Sequence, residues 1–436
     1  MKLKDKHIAI LGAGRSGRAA AKLALREGAK VSVWDQAGPE AFSDLPEAVE
    51  CHPNATEEVG ADLFAHSLVV SPGIDTYGSY VKAFSRQVGE VIGEVELASR
   101  FYSGRIVGIT GTNGKTTTTE LVACMLAHAG KGGTACGNYG LPFSEVVLSD
   151  EKPEAVALEL SSFQLETIAD LRPNVAVWLN FAPDHMDRYP SVDDYRRAKL
   201  RIFKNVTAED VIVVRSGQPI PDSPARMVTF STEDADADWY SDGEEIRLNG
   251  EPVLHMTRDT GLRGLHNAEN LMAALASCCA LELPVAVLCQ ALRDYKPPLH
   301  RCELIRTLDG VEYLNDSKAT NLHAMISALR SQIRPVVLIC GGKDKGLDYR
   351  EMLPLLSQNT LLVVTFGEIA GSLARTIGKA APCEQVVTLD EAVAKARELA
   401  PRGSVVLLSP GTSSFDQFSG YEERGDHFRK LVQQLN

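Results

Sequence analysis

Paired cysteines, excess positive charge and long apolar runs are all missing from this chain, and each absence excludes a class of protein. The nine cysteines are scattered, with only Cys278 and Cys279 adjacent and no C-x-x-C pair. Neither a zinc site nor a dithiol redox motif is therefore indicated, and reduced thiols in a cytosolic protein are expected. Lys and Arg number 45 against 57 Asp and Glu, a net charge of −12. That balance argues against nucleic acid and anionic membranes as partners, since either would want a basic face. It leaves room for anionic small substrates, because a few Lys, Arg and backbone N–H groups supply local positive potential. No apolar run approaches the roughly 20 residues that a membrane-crossing helix needs. The opening Met1-Lys-Leu-Lys-Asp-Lys resembles the basic start of a signal peptide. The apolar run after it stops at Gly12 and enters a glycine loop, so a first strand is expected instead. Short repeats and low-complexity segments are also lacking.

What is present is ordinary globular composition over 436 residues, 44 % hydrophobic and 23 % charged, enough for about three domains. Short β-branched strands alternate with amphipathic helices, which predicts an α/β fold with parallel sheets. The first unit opens with a strand at His7–Leu11, turns through glycines into a helix, and returns as a strand at Val31–Trp34. The second begins with a strand at Arg105–Thr110 and a helix showing Val122, Met125, Leu126 and Ala129 at helical spacing, with Gly130 as its stop. Further buried strands are predicted at 155–160, 174–180 and 210–214. Pro297-Pro298 marks a linker, and the third unit has strands at 336–340, 361–366 and 404–408. The acidic run Glu233 to Glu245 lacks the glycine of a calcium loop, Trp239 standing in its place, and is expected to be a solvated surface hairpin.

Two glycine loops carry the chemistry. The first is Gly12-Ala-Gly14-Arg-Ser-Gly17 between strand and helix, with Asp35 following at the end of the next strand. Such glycines let N–H groups at a helix N-terminus approach a diphosphate, and Asp35 lies where a ribose-binding acid would. Taken alone, this loop fits a nicotinamide-dependent dehydrogenase. The second is Gly111-Thr-Asn-Gly-Lys-Thr116, again between strand and helix. It supplies N–H groups, a lysine for the β- and γ-phosphates, and Thr116 for Mg²⁺. It is shorter than the common P-loop, since Ile109 occupies the first glycine position. Two nucleotide-type loops in separate domains fit poorly with a dehydrogenase. They fit an enzyme that holds ATP in one domain and a nucleotide-like substrate in another.

Ten ordered stretches then resemble the Mur ligases of peptidoglycan synthesis: GTNGKTTT (111–118), GNYG (137–140), ELSSFQLE (159–166), PDHMDRY (183–189), YRRAKLRIF (195–203), GLHNAEN (264–270), HR (300–301), NDSKATN (315–321), GGKDKG (341–346) and SPGTSSFDQF (409–418). The resemblance implies three domains: a Rossmann-like UDP-binding domain over 1–98, a central P-loop ATPase domain with a parallel sheet over 99–299, and a Rossmann-like amino-acid-binding domain over 300–436. It implies an ATP-dependent amide-bond-forming ligase working through an acyl phosphate. The DHMDRY and SSFQLE wording, and the lack of an Asp-Asn-Pro-Arg word, favour the branch that adds D-glutamate to UDP-N-acetylmuramoyl-L-alanine. A third reading, a nucleotide-sugar binder with a dead ATP site, is opposed by the intact Lys115, Thr116, Glu159 and His185.

The residues that the resemblance assigns are as follows. Lys115, Glu159, His185 and Lys199 would be catalytic. Gly111, Thr112, Asn113, Gly114, Lys115, Thr116, Thr117, Asn267, Asn270, Arg301 and Asp316 would bind ATP. Two Mg²⁺ ions would be held by Thr116, Glu159, His185 and Lys199, the last as a carbamate, since an ammonium beside Mg²⁺ would be repelled. Arg15, Ser16, Gly17, Asp35, Ser71, Pro72, Gly73 and Asn138 would hold the UDP substrate. Lys318, Thr320, Lys345, Ser414, Phe415 and Tyr421 would bind D-glutamate, Tyr421 standing where relatives often have Phe. A cytoplasmic monomer is expected.

Overall fold

Strands that are apolar on both faces must lie between two layers, and the first strand sets the pattern: Ile8, Ala9, Ile10 and Leu11 are each 0 % exposed. In the computed structural model, residues 3–186, 188–295, 299–330, 332, 334–345 and 348–436 are described. The Pro297-Pro298 linker and Gly346 lie outside them. Contacts divide the chain into two compact units, Met1–Tyr295 and Lys296–Asn436.

The first unit contains two sheets. One has five parallel strands in the spatial order Glu50–His52, Lys30–Trp34, His7–Leu11, Phe64–Val70, Gln87–Gly93. This is the 3-2-1-4-5 order of a Rossmann-like fold, with the helix Arg15–Arg26 following the first strand. The other sheet has nine strands, running Gly132–Gly137, Ala155–Glu159, Arg105–Thr110, Val175–Trp178, Val211–Arg215, Arg226–Ser231, Trp239–Ser241, Glu245–Leu248, Glu251–His255. The first seven are parallel and the last two pair antiparallel. The helix Lys115–His128 lies over it with Val122, Met125 and Leu126 at 0 % exposure, in one core with the helix Leu265–Ala280. Gly130 follows at φ +73, the left-handed position that glycine takes after a helix end.

The acidic run corrects one expectation. Asp234 and Asp236 are exposed, but the hairpin they lead into is the edge of the nine-stranded sheet. Trp239 is 2 % exposed and Ile246 0 %, so one face of the hairpin joins the core, while Asp242, Glu244 and the turn at Asn249 and Gly250 stay exposed. Asp238 has a local task, its carboxylate accepting the N–H and hydroxyl of Thr229.

The second unit has a six-stranded sheet in the order Glu303–Leu308, Val311–Asn315, Val405–Leu408, Val336–Gly341, Thr360–Phe366, Cys383–Gln385. Only the first pair is antiparallel. All nine cysteines are free. Among the described residues no helix is long and apolar enough to cross a membrane.

Candidate active site

The strand Arg105–Thr110 lies between Ala155–Glu159 and Val175–Trp178, with Ile109 level with Glu159 and Thr110 level with Trp178. Three C-terminal strand ends therefore open side by side, the position at which parallel sheets bind ligands. The loops beyond them are tied together. Thr112 N–H donates to the Asn180 carbonyl at 3.1 Å, Asn113 N–H to Asn180 Oδ1 at 2.9 Å, and Thr112 Oγ1 to the Ala182 carbonyl at 3.0 Å. Gly114 caps the next helix at φ +82, and a Cβ there would stand 2.1 Å from Asn270 Oδ1. Only glycine fits both the backbone and the approach of Asn270. Gly114 also offers no side-chain cap to the first-turn N–H groups of helix Lys115–His128, an arrangement suited to phosphate.

Lys115 and Lys199 meet inside this loop. Lys115 Nζ donates to the carbonyls of Gly111 and Thr112, each at 2.9 Å, and Lys199 Nζ donates to the same Gly111 carbonyl at 2.7 Å. Lys199 is 2 % exposed and its ammonium sits 5.0 Å over the Tyr195 ring. It is not a surface lysine of a charged helix. Burial, and then the Lys115 charge beside it, hold the Lys199 amine well below its ordinary range, while Asp184 and Glu159 oppose the shift. Burial lowers Lys115 as well, against the same two carboxylates.

Glu159 is 2 % exposed. Its Oε1 accepts from Asn138 Nδ2 at 2.7 Å, whereas its buried Oε2 has no hydrogen-bond partner among the described residues. His185 stands at φ +56, a conformation that ordinary side chains adopt only under constraint. Its ring packs against Phe163 and Tyr195, at centroid distances of 4.9 and 5.9 Å. Thr116 and Thr117 are half-buried in the first helical turn. Among the described residues no three His, Cys, Asp or Glu side chains converge as a ready metal cage, and the expected set contains only two such residues.

The first glycine loop meets the Ser71 turn. A Cβ at Gly17 would lie 1.8 Å from the Gly12 carbonyl, and Ser71 Oγ approaches that carbonyl at 3.4 Å. Asp35 braces the loop, its carboxylate accepting from Ala13 N–H at 2.6 Å and Ala37 N–H at 2.8 Å. Arg15 is exposed and Ser16 half-buried at the helix start. Pro72 and Gly73 line a cleft of about 570 Å³ together with Asn138, Phe163, His185 and Arg188. UDP-substrate and catalytic candidates thus share one cavity. Asn270 reaches the P-loop, while Asn267, one turn earlier, bonds the Arg263 carbonyl at 2.9 Å.

The second unit gathers its own candidates. Asp316 is buried, bonded by Ser409 Oγ at 2.8 Å and Cys302 N–H at 3.3 Å; burial pushes its carboxyl up to about 7, with Arg301 among the groups opposing this. Lys318 Nζ lies 3.8 Å over the Tyr421 ring, and Lys345 Nζ donates to the Thr320 carbonyl at 3.1 Å. Ser414 is buried and Phe415 is 66 % exposed, an aromatic face open to a ligand.

Comparison with known proteins shows the family. Three family models match in order: the Mur ligase MurD-like N-terminal domain over residues 6–93, the Mur ligase middle domain over 109–278, and the Mur ligase glutamate ligase domain over 300–411. The chain belongs to the Mur ligase family. This Mur ligase is 40 % identical to a UDP-N-acetylmuramoylalanine--D-glutamate ligase of Salinibacter ruber, with 98 % of this chain and 97 % of the relative covered. It is 40 % identical to the enzyme so named in Myxococcus xanthus, over 99 % of each chain, and 38 % identical to that of Geotalea uraniireducens, over 100 % and 99 %. Among solved structures, a MurF ligase of Thermotoga maritima in complex with ADP shares the fold at TM-score 0.59 and 17 % identity, covering 99 % of this chain and 96 % of that one. A pseudomurein peptide ligase type C of Methanothermus fervidus does so at TM-score 0.59 and 16 % identity, over 99 % and 100 %.

Some residues beside the candidate site of this Mur ligase escape a reading of sequence. Asp184, whose charge acts on both lysines, is hidden beside the more conspicuous His185. Arg424 is 0 % exposed and bonds Ser317 Oγ, the Ser317 carbonyl and the Thr412 carbonyl. It thereby joins the Lys318 and Ser414 segments, although its surroundings (YEERGDHFRK) look like a solvated helix face.

Proposed function

We propose that this Mur ligase joins D-glutamate to UDP-N-acetylmuramoyl-L-alanine with ATP, forming ADP and phosphate through an acyl phosphate, in peptidoglycan precursor synthesis. The observation that carries the reading is the pairing of half-buried Lys115 with buried Lys199 on the Gly111 carbonyl, within the influence of Glu159 and Asp184. A carboxylate attacking the γ-phosphate is anion against anion, so catalysis must be neutralisation and alignment. Lys115, with Gly111, Thr112, Asn113, Gly114, Thr116 and Thr117, would hold the triphosphate; Asn267, Asn270, Arg301 and Asp316 would complete ATP binding. The C-terminal oxygen of the substrate carboxylate bonds to phosphorus as the β–γ bridge breaks. The neutral amine of D-glutamate then attacks the acyl carbon, its nitrogen gives up a proton to solvent, and phosphate leaves with that oxygen.

The bare Oε2 of Glu159 fits a divalent cation, and two Mg²⁺ ions would be held among Thr116, Glu159, His185 and Lys199, the last as a carbamate. Bound Mg²⁺ would offset the charge of the β- and γ-phosphates. Carbamylation needs a neutral amine, and burial keeps the Lys199 proton loosely held. The UDP part would lie against Arg15, Ser16, Gly17, Asp35, Ser71, Pro72, Gly73 and Asn138. Lys318 and Lys345, with Thr320, Ser414, Phe415 and Tyr421, suit a dicarboxylate amino acid. We assign the domains as 1–98, 99–299 and 300–436 and place the enzyme in the cytoplasm as a monomer, its partners being these substrates and neither nucleic acid nor membrane.

Phosphate release measured with each amino-acid enantiomer, in the presence of ATP and UDP-N-acetylmuramoyl-L-alanine, tests the reading. D-glutamate is expected to exceed every other amino acid by about 100-fold or more, the discrimination available to a site whose charged groups go unpaired with the wrong ligand. Preference for L-alanine, L-lysine or a diaminopimelate would overturn it.

A further inference from the structure

Arg188 does more than line the cleft. Its guanidinium donates through Nη1 to the Pro72 carbonyl at 3.3 Å, and through Nη2 to the Ile74 carbonyl at 3.1 Å, Thr76 Oγ1 at 3.4 Å and Glu166 Oε2 at 2.9 Å. It also lies 4.1 Å over the Phe163 ring. One side chain therefore joins the 71–76 turn of the five-stranded sheet to the helix Ser162–Glu166 and to the loop that bears His185, three residues earlier. The guanidinium is held from swinging. Glu166 has 1 % of its side chain exposed, and its second oxygen accepts from the Tyr189 hydroxyl.

We propose that Arg188 is a positioning residue that fixes the 71–76 turn against the His185 loop, and so sets where the sugar–peptide part of the nucleotide substrate enters the phosphoryl-transfer site. The inference rests on the functional reading above. It follows from geometry: Pro72, Gly73, His185 and Arg188 all line the one cleft, and the bonds from Arg188 tie the turn that bears Pro72 to the segment that bears His185. A planar fork is required, because a lysine ammonium cannot serve two backbone carbonyls and a carboxylate at these separations while stacking on a ring.

Two variants test this, Arg188→Lys and the double variant Arg188→Met/Glu166→Gln, the second leaving no unpaired buried charge. Both are expected to raise KM for UDP-N-acetylmuramoyl-L-alanine by about tenfold or more, with KM for ATP within about twofold and kcat at saturation within about threefold, because only the placement of one substrate is lost. Calorimetric titration of the sugar nucleotide should show the same weakening without turnover. An unchanged KM and affinity in the double variant would overturn the proposal, as would a parallel loss across both substrates and kcat. Failure of the functional reading is separately visible: the unaltered chain would then release no phosphate with D-glutamate, while the titrations still compare the variants.

Discussion

Replacing Lys115 with alanine is expected to lower phosphate release by at least about 1,000-fold, since a positioned cation on a transferring phosphoryl group supplies an effect of that order. Lys115 is the first residue of the helix after the glycine loop, and its ammonium is already folded over the loop at Gly111 and Thr112. Its removal takes away charge without disturbing a core, because the same loop remains tied through Thr112, Asn113 and Asn180. Binding of the UDP substrate should be spared, within about twofold, since the first glycine loop, Asp35 and Ser71 belong to a different sheet. Steady-state phosphate release and calorimetric titration of the sugar nucleotide check the two halves. Full activity in the variant would remove the P-loop assignment.

Lys199→Arg should cost about 100-fold or more in turnover, because a guanidinium can neither lose its proton nor accept CO₂. On the proposed reading the Lys199 amine would add to CO₂, releasing a proton and forming a carbamate, a reaction open only to the neutral base. The sign of its pH dependence follows from the lowered proton affinity of Lys199. Lowering the pH protonates the amine and depletes the carbamate, while raising it restores both. Activity should therefore fall in CO₂-depleted buffer, fall further as the pH is lowered, and recover on adding bicarbonate. The arginine variant should show no bicarbonate response. Bicarbonate-independent activity in the unaltered enzyme, or an active arginine variant, would exclude the carbamate.

Much of the fold is legible in the sequence because its determinants are local. A β-branched run, a glycine turn and a helix-spaced apolar set occupy adjacent residues, so the strands at His7–Leu11 and Arg105–Thr110 and the helix stop at Gly130 can be placed by inspection. Glu159 closes such a strand, but a charge at a strand end is by itself more often a surface residue, and it is the family resemblance that singles it out. The partners are not legible. Asn138 reads as a substrate ligand yet bonds Glu159, 21 positions away, and Arg188 meets Thr76 over 112 positions. No local pattern reports such separations. The acidic run misleads because charge density dominates the eye, whereas the informative residue is Trp239, whose burial draws the hairpin onto the sheet. Arg424 hides among charged neighbours because helix Tyr421–Gln434 turns that position towards the Ser317 and Thr412 segments rather than to water.

Oxygen tracing tests the account most directly. UDP-N-acetylmuramoyl-L-alanine labelled with ¹⁸O in its terminal carboxylate is incubated with ATP, Mg²⁺, D-glutamate and the enzyme, and the phosphate released is weighed by mass spectrometry. Attack of the carboxylate on the γ-phosphate, and departure of phosphate on amide formation, place one labelled oxygen in each phosphate. Phosphate free of label, formed at the same rate as the amide, would mean that the carboxylate never bonded to phosphorus.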